Sequence, residues 1–320
     1  MRAWWIRGFW IVLILSLLVW AILAAPLAEI WASLKQLHLW QIVTLLAVSL
    51  IAILFMTLRW WLVVRAENSK VPFVQLIGYR LAAFGMSYFT PGPQVGGEPL
   101  QILSLRRNHQ LTAARSTATV IMDKLLEFLV NVLFLAAGLV VVIGQGLFPL
   151  TGNQLFGGLV PLLLLILIPP VHLVLLYLGK YPVSSLVRVI QNRTGRKKTL
   201  RLVMISERMA GIFMRRHPGA MIFALLASIL AWTCMWAEYW LMAQFILVDM
   251  TLWQALAGMT FLQIAFMLPL PGGLGAMEAS QVFVLGAMGF PPSAGLTMSL
   301  LMRGRDMLIG GLGLLRAGRL

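Results

Sequence analysis

The chain has 320 residues, of which 60% are hydrophobic and only 11% charged, and its formal net charge is +15. Soluble domains contain about 45 to 50% apolar and about 25% charged residues, so a soluble globular protein is excluded. The sequence instead predicts an all-α polytopic membrane protein, a single integral membrane domain over residues 1–320. Basic loops facing the cytoplasm explain the positive charge without a nucleic-acid partner. A single cysteine, Cys234, excludes an internal disulfide.

Long apolar runs, each compatible with a membrane helix of about 20 residues, follow one another along the chain. They cover about 9–28, 40–64, 117–145, 155–179, 220–247, 252–270 and 294–315. The first run follows Arg2 and Arg7, as a secretory signal would, but it exceeds the usual signal core of about 7 to 15 residues. We therefore expect a retained helix, and about six transmembrane helices in total.

Basic residues predict the orientation, because Lys and Arg accumulate on the cytoplasmic side. The stretch 180–219 carries ten of them against one acid, Glu207. This stretch is therefore predicted to be a cytoplasmic loop, and both termini are predicted to lie on the same side of a bacterial-type inner membrane. Its apolar residues are also compatible with an amphipathic helix on the membrane surface, held by anionic lipid headgroups.

Two apolar segments are interrupted by similar proline- and glycine-rich breaks. Residues 73–90 lead into PGPQVGGEP, and the segment 252–289 contains PGGLGAME. Pro91-Gly92 is followed by Glu98, and Pro271-Gly272 by Glu278, seven residues after the proline in both cases. The charge pattern brings each segment back to the face where it entered, which predicts two re-entrant helical hairpins. Paired broken helices indicate an inverted-topology repeat, with halves at about 40–145 and 220–316.

The residues around each break favour a half-helix that begins inside the protein. Proline and glycine end one half-helix, while an acid followed by proline, as in Glu98-Pro99, is typical of the next helix start. Free N–H groups at such a start can hold an anion such as a phosphate. The alternative is that these glycines only let helices pack closely.

Ionisable residues within the apolar runs are the other candidate functional groups. Each costs about 2.5 to 3.5 kcal/mol at mid-membrane if unpaired, so these residues must pair or line a wet cavity. Asp123 and Glu127 share a helix face, and we expect a cation beside them: Arg80, an arginine of the last helix, or a substrate amine. Purely structural pairing is the alternative. The set comprises Arg80, Glu98, Asp123, Lys124, Glu127, Glu238, Glu278, Arg303, Arg305 and Asp306.

Metal and nucleotide motifs are missing from the sequence. It has no HExxH, no GxxxxGK[ST] and no GxSxG, and its four histidines are scattered. No metal and no cofactor are predicted.

The two break regions and the helices after them carry a family resemblance. PGPQVGGEPLQILSLRR with ATVIMDKLLEF, and LPLPGGLGAMEAS with LLMRGRDMLIGGLG, resemble the lysylphosphatidylglycerol synthase transmembrane region, a flippase-like family. The family is similar to the flippase half of the multiple peptide resistance factor, which moves aminoacylated phosphatidylglycerol between leaflets. The motif positions are Pro91, Gly92, Gly96, Gly97, Glu98, Asp123, Pro271, Gly272, Gly273, Gly275, Glu278 and Arg303.

The resemblance and the residues together predict a lipid translocase with a membrane lipid as its substrate. Half-helix N-termini with Arg303 or Arg305 would hold a lipid phosphate, while Glu98, Glu278 and Asp123 would take protons or a cationic headgroup. The chain ends at Leu320, soon after the last helix, so no aminoacyl-transferase domain is expected and the chain is predicted not to be an enzyme. The alternatives are a membrane-embedded lipid-modifying enzyme and a non-transporting subunit of a lipid-modifying complex.

Overall fold

The computed structural model describes residues 37–67, 70–89, 96–144, 170–194, 197–246, 248–268 and 275–318, with a few single positions between them. All regular secondary structure in these ranges is helical, in agreement with the predicted fold class. Three helices are long and apolar enough to cross a membrane: Leu39–Ala66, Ala113–Gly144 and Pro218–Phe245. The chain is therefore a helical membrane protein. The number of six spans stays a prediction, since run 9–28 and most of run 155–179 lie outside the described residues.

Ten helices follow one another in the described part of the chain. In chain order they are α1 (Leu39–Glu67), α2 (Phe73–Phe89), α3 (Glu98–His109), α4 (Ala113–Gly144), α5 (Pro182–Thr194), α6 (Lys197–Arg216), α7 (Pro218–Phe245), α8 (Leu252–Phe266), α9 (Ala276–Ala287) and α10 (Pro292–Ala317). A shorter helical segment at 170–177 precedes α5.

Local sequence explains where several helices begin. Proline stands at the first or second position of α3, α7 and α10, where its missing N–H has no helical acceptor to lose. At α8, the side chains of Thr251 and Gln254 bond to each other's backbone N–H in a capping box. Gly275, which precedes α9, has φ of 78°, a left-handed conformation that glycine adopts without strain.

Two groups of helices, α1–α4 and α7–α10, follow a similar order along the chain and interlock with each other. Each group has a long helix, a shorter one, a break, a helix of 12 residues and another long helix. The first helices of the groups, α1 and α7, pack along each other. Across the groups α2 lies against α10 and α8 against α4, while within the groups α3 lies on α4 and α9 on α10.

Glycines allow the close approach of α2 and α10. A Cβ at Gly85 would lie 2.5 Å from the carbonyl oxygen of Gly310, and one at Gly313 only 2.0 Å from that of Leu81. Both contacts involve backbone atoms, which cannot rotate away. Small residues at such crossings are a common way to pack helices in membranes.

The basic stretch 180–219 is occupied by helices α5 and α6. Ala210 and Phe213 of α6 are buried against Met122 and Leu126 of α4, so one face of α6 packs on the protein. Glu207, which the sequence shows only as the lone acid of this stretch, is 5% exposed. It accepts hydrogen bonds from the N–H groups of Val183 and Ser184, at 3.0 and 2.6 Å. The carboxylate thus caps α5 and fixes it to α6.

The glycine packing of α2 and α10 gives a stability prediction. We expect Gly313→Ala to lower the melting temperature in detergent, because overpacking costs about 1 to 3 kcal/mol. The matched control is Gly311→Ala on the same helix, where an added Cβ meets no atom within 4 Å. Alanine should be neutral or slightly stabilising there. Equal melting temperatures for the two variants would contradict the packing argument.

Candidate functional site

A cluster of buried charge, which we call the Arg59 cluster, comprises Arg59, Arg80, Asp123 and Glu127. Arg59 of α1 is fully buried, and its Nε lies 2.6 Å from Asp123 Oδ1 and its Nη2 2.6 Å from Glu127 Oε2. Arg80 of α2 places Nη2 2.7 Å from Asp123 Oδ2. Two arginines thus surround the two carboxylates of α4, which offsets their mutual repulsion.

The sequence predicted one of these two arginines. Arg80 was among the cations expected beside Asp123 and Glu127, and it is there. Arg59 is not among the expected cations. It precedes Trp60 and Trp61 and lies close to Arg65, a pattern typical of the end of a transmembrane helix. The sequence does contain one signal for a buried Arg59. It lies six residues before Arg65, which is about 9 Å further into the membrane along a helix.

Lys124 connects the Arg59 cluster to the first break. Its Nζ lies 3.4 Å from Glu127 Oε1 and 3.5 Å from Glu98 Oε1. The other oxygen of Glu98 accepts a hydrogen bond of 3.0 Å from the N–H of Gly96. Glu98 therefore binds a backbone N–H group just before its own helix and also binds Lys124 of α4.

Glu278 makes the equivalent contacts at the second break. Its Oε2 accepts a hydrogen bond of 2.9 Å from the N–H of Gly275. Its Oε1 accepts one of 2.8 Å from Nε of Arg303 on α10. In both halves, a glutamate in the first turn of the short helix binds a break N–H and a cation of the following long helix.

A second cluster of buried charge, the Glu238 cluster, consists of Glu238, Arg305 and Asp306. Arg305 of α10 places Nη1 2.8 Å from Glu238 Oε2 and Nη2 2.8 Å from Asp306 Oδ1. The hydroxyl of Ser49 on α1 donates to the other oxygen of Glu238. This cluster joins α1, α7 and α10.

Serine–charge bonds occur at matching places on α1 and α7. Arg59 Nη1 donates to the hydroxyl of Ser228 on α7 at 3.0 Å, while Ser49 donates to Glu238. Ten residues separate the serine from the charged residue on either helix, and Arg59 and Glu238 both lie 20 residues after the first residue of their helix. The two helices are therefore antiparallel, with charges of opposite sign at equivalent positions.

A cavity of about 280 Å³ lies between the two clusters and receives residues from seven helices. Part of its wall is charged and includes Arg80, Lys124, Glu127, Glu238 and Arg305. Another part is apolar, formed by side chains such as Met56, Met235, Leu262, Phe266 and Ile309. Gly97 and Glu98, at the start of α3, line the cavity, and so does Phe266, the last residue of α8. The cavity is thus amphipathic and lies beside the start of α3 and the end of α8.

The structure divides the predicted site residues into five groups. Those that line the cavity are Arg80, Gly97, Glu98, Glu127, Arg305 and Asp306. Asp123 is fully buried within the Arg59 cluster, and Glu278 and Arg303 pair with each other without lining the cavity. Gly96, Gly273 and Gly275 lie in the break regions. Pro91, Gly92, Pro271 and Gly272 lie outside the described residues.

Fold and site together define a helical membrane protein whose buried ion pairs surround an amphipathic cavity. Ionisable residues inside the membrane part of a protein indicate a functional site. The model of the family described as lysylphosphatidylglycerol synthase TM region matches residues 8–313, and the chain belongs to this family. No curated protein and no solved structure matches the chain.

The Arg59 cluster yields a second prediction. Arg59→Gln leaves two buried carboxylates with less positive charge, and removing one partner of a buried pair costs about 3 to 5 kcal/mol. We expect a large fall in melting temperature, partly recovered when Asp123→Asn is added. The control is Arg65→Gln on the same helix, whose side chain is exposed. If Arg59→Gln and Arg65→Gln melt at the same temperature, the cluster does not hold the fold together.

Proposed function

We propose that this protein is a lipid translocase, which moves a phospholipid or another polar-headgroup lipid across the cytoplasmic membrane. The observation that carries the proposal is the amphipathic cavity beside the start of α3 and the end of α8. Its charged wall suits a polar headgroup, and its apolar wall suits the beginning of the acyl chains. At about 280 Å³ the cavity has room for a headgroup rather than for a whole lipid.

Two re-entrant hairpins in an inverted repeat are part of this proposal. Helices α2, α3, α8 and α9 have 12 to 17 residues, fewer than the roughly 20 that a span requires. The matching helix order and the equivalent contacts of Glu98 and Glu278 support a relation between the halves. The reciprocal serine–charge bonds of α1 and α7 support it further. In inverted repeats, one half can rock against the other around a central site, which then opens to either side.

The headgroup is assigned to the cavity rather than to the helix starts. The N–H groups of Gly96 and Gly275 are already bonded to Glu98 and Glu278, so in this conformation they are not free for a phosphate. Arg303 likewise has Glu278 as its partner. A headgroup in the cavity meets ion pairs rather than isolated charges.

We propose further that the chain moves lipid rather than synthesising it, and that α5 and α6 lie on the cytoplasmic side near anionic headgroups. The exposed basic residues Arg188, Arg208 and Arg216 on these helices support the second point. Formation of a modified lipid by the purified protein would contradict the first.

Lipid movement is directly measurable in proteoliposomes. Wild-type protein should make fluorescent phospholipids of the inner leaflet accessible to a membrane-impermeant quencher. The double variant Glu98→Gln, Glu278→Gln should lower the rate by about twofold to thirtyfold, because each of the two partly exposed ion pairs contributes about 0.2 to 1 kcal/mol. The matched control is Asp249→Asn, an exposed carboxylate outside the cavity. If wild-type protein moves none of the lipids and the double variant behaves like wild type in cells, the proposal is wrong.

The orientation is testable with engineered cysteines. The sequence contains one cysteine, so Cys234→Ser gives a cysteine-free background. Ser185 of α5 and Asp249 between α7 and α8 are both exposed. In intact spheroplasts, an impermeant maleimide should label Asp249→Cys, but label Ser185→Cys only after permeabilisation. The opposite pattern would reverse the proposed orientation.

A further inference from the structure

Five side chains of the cavity wall carry polar atoms that lack partners, and four of the five are uncharged. Gln101 and Gln263 are 3% and 8% exposed, and their Oε1 atoms have no hydrogen-bond partner among the described residues. The same holds for Oδ1 of Asn131, Nε1 of Trp232 and Nε of Arg80. All five side chains line the cavity, on five different helices. Buried polar atoms without partners are rare in folded proteins and call for an explanation.

Gln281 shows that a buried amide elsewhere in this protein is satisfied. It is fully buried and lies outside the cavity lining. Its Oε1 accepts a 2.5 Å hydrogen bond from the hydroxyl of Tyr239, and its Nε2 donates to the carbonyl oxygen of Gly258 at 3.3 Å. Gln101 and Gln263 thus differ from Gln281, and in the described part of the chain five of the seven unpartnered buried atoms belong to cavity-lining side chains, the other two being Trp60 Nε1 and Ser116 Oγ.

The charged groups of the cavity already neutralise one another. Arg80 is bonded to Asp123, Lys124 lies between Glu98 and Glu127, and Arg305 lies between Glu238 and Asp306. A ligand recognised by its charge would have to break one of these pairs, which is costly at low dielectric. The groups that lack a protein partner are the neutral amide oxygens, the indole N–H and one guanidinium N–H; neighbouring atoms cover each of them in this conformation, so a ligand reaches them once these side chains rotate.

The unpartnered atoms include both acceptors and donors, and this limits the chemical class of the ligand. The amide oxygens of Gln101, Gln263 and Asn131 accept, whereas Trp232 Nε1 and Arg80 Nε donate. A phosphate only accepts and an ammonium only donates, so each would leave part of the wall unsatisfied. A hydroxyl group donates and accepts.

From this complementarity we infer that the cavity recognises the hydroxyl groups of a polyol headgroup, such as glycerol or a sugar, rather than its charge. The inference rests on the proposed function for the claim that the ligand is a lipid. In this arrangement the hydroxyl hydrogens are donated to the amide oxygens of Gln101 and Gln263. A hydroxyl oxygen accepts a hydrogen bond from the indole N–H of Trp232.

Four short-chain lipids with identical acyl chains separate the contribution of hydroxyls from that of charge. Phosphatidylglycerol is anionic and glucosyl diacylglycerol is neutral, and both carry hydroxyls. Phosphatidylethanol is anionic without a hydroxyl on its headgroup, and phosphatidylethanolamine carries an amine instead. Their dissociation constants are measured by calorimetry with the full-length protein in detergent. We expect both hydroxylated lipids to bind at least about tenfold more tightly than the other two.

The double variant Gln101→Leu, Gln263→Leu should weaken binding of the hydroxylated lipids at least about tenfold and leave the other two unchanged. Its melting temperature without lipid should not fall, because the replaced oxygens had no protein partner. Gln75→Leu, at an exposed glutamine of α2 outside the cavity, is the control and should bind like wild type.

Three outcomes would overturn the inference: phosphatidylethanol binding as tightly as phosphatidylglycerol, phosphatidylethanolamine binding most tightly, or the double variant retaining the hydroxyl preference. Binding and movement are measured separately. A hydroxyl preference in binding without lipid movement in proteoliposomes refutes the translocase proposal but not the hydroxyl recognition. Movement without a hydroxyl preference refutes only the recognition.

Discussion

The pairing of buried charge is the interaction on which the rest of this structure depends. Arg59 has no solvent exposure, yet it reaches two carboxylates of α4 and a hydroxyl of α7. Because an isolated charge inside a membrane costs several kcal/mol, these helices stay in the register that keeps the bonds intact. The Glu238 cluster has the same effect on α1, α7 and α10. Charge thus fixes the positions of the long helices, which composition alone would leave free to slide.

Opposite signs at equivalent positions make the two halves complementary. On α1 the deep charged residue is Arg59, and on α7 it is Glu238, while the serine ten residues earlier on each helix bonds to the charge of the other. Each half therefore supplies a group that the other half needs. Glycines at the crossing of α2 and α10 bring the backbones of the two halves close together. Between the clusters remains a cavity whose charges are internally paired and whose unpartnered atoms are neutral apart from Arg80 Nε.

For Glu98 and Glu278, the sequence predicts the position at a helix start correctly but not the group that binds the N–H groups there. Both lie at helix starts after a break, as the proline and glycine pattern predicted, and both are bonded to a cation. Their second oxygens bind the break N–H groups that were expected to hold an anion. The sequence reveals an acid at a helix start, but it cannot show whether the acid or a ligand satisfies the N–H groups, because both use the same atoms. Which cations pair with the two glutamates depends on how α4 and α10 pack against α3 and α9, and this packing brings Lys124 and Arg303 into place.

The sequence by itself determined the membrane class, the positions of the long apolar helices, the two breaks with their matched spacing, and the family. These follow from composition, periodicity and local backbone chemistry, which act within about 20 residues of chain. Tertiary structure alone decided that Arg59 is buried, that Glu207 caps α5, that Glu278 and Arg303 do not line the cavity, and that Gln101 and Gln263 do. Such features depend on which helices cross and on their relative positions along the helix axes. Contacts between residues more than a hundred positions apart fix these positions, among them Arg59 with Ser228 and Ser49 with Glu238.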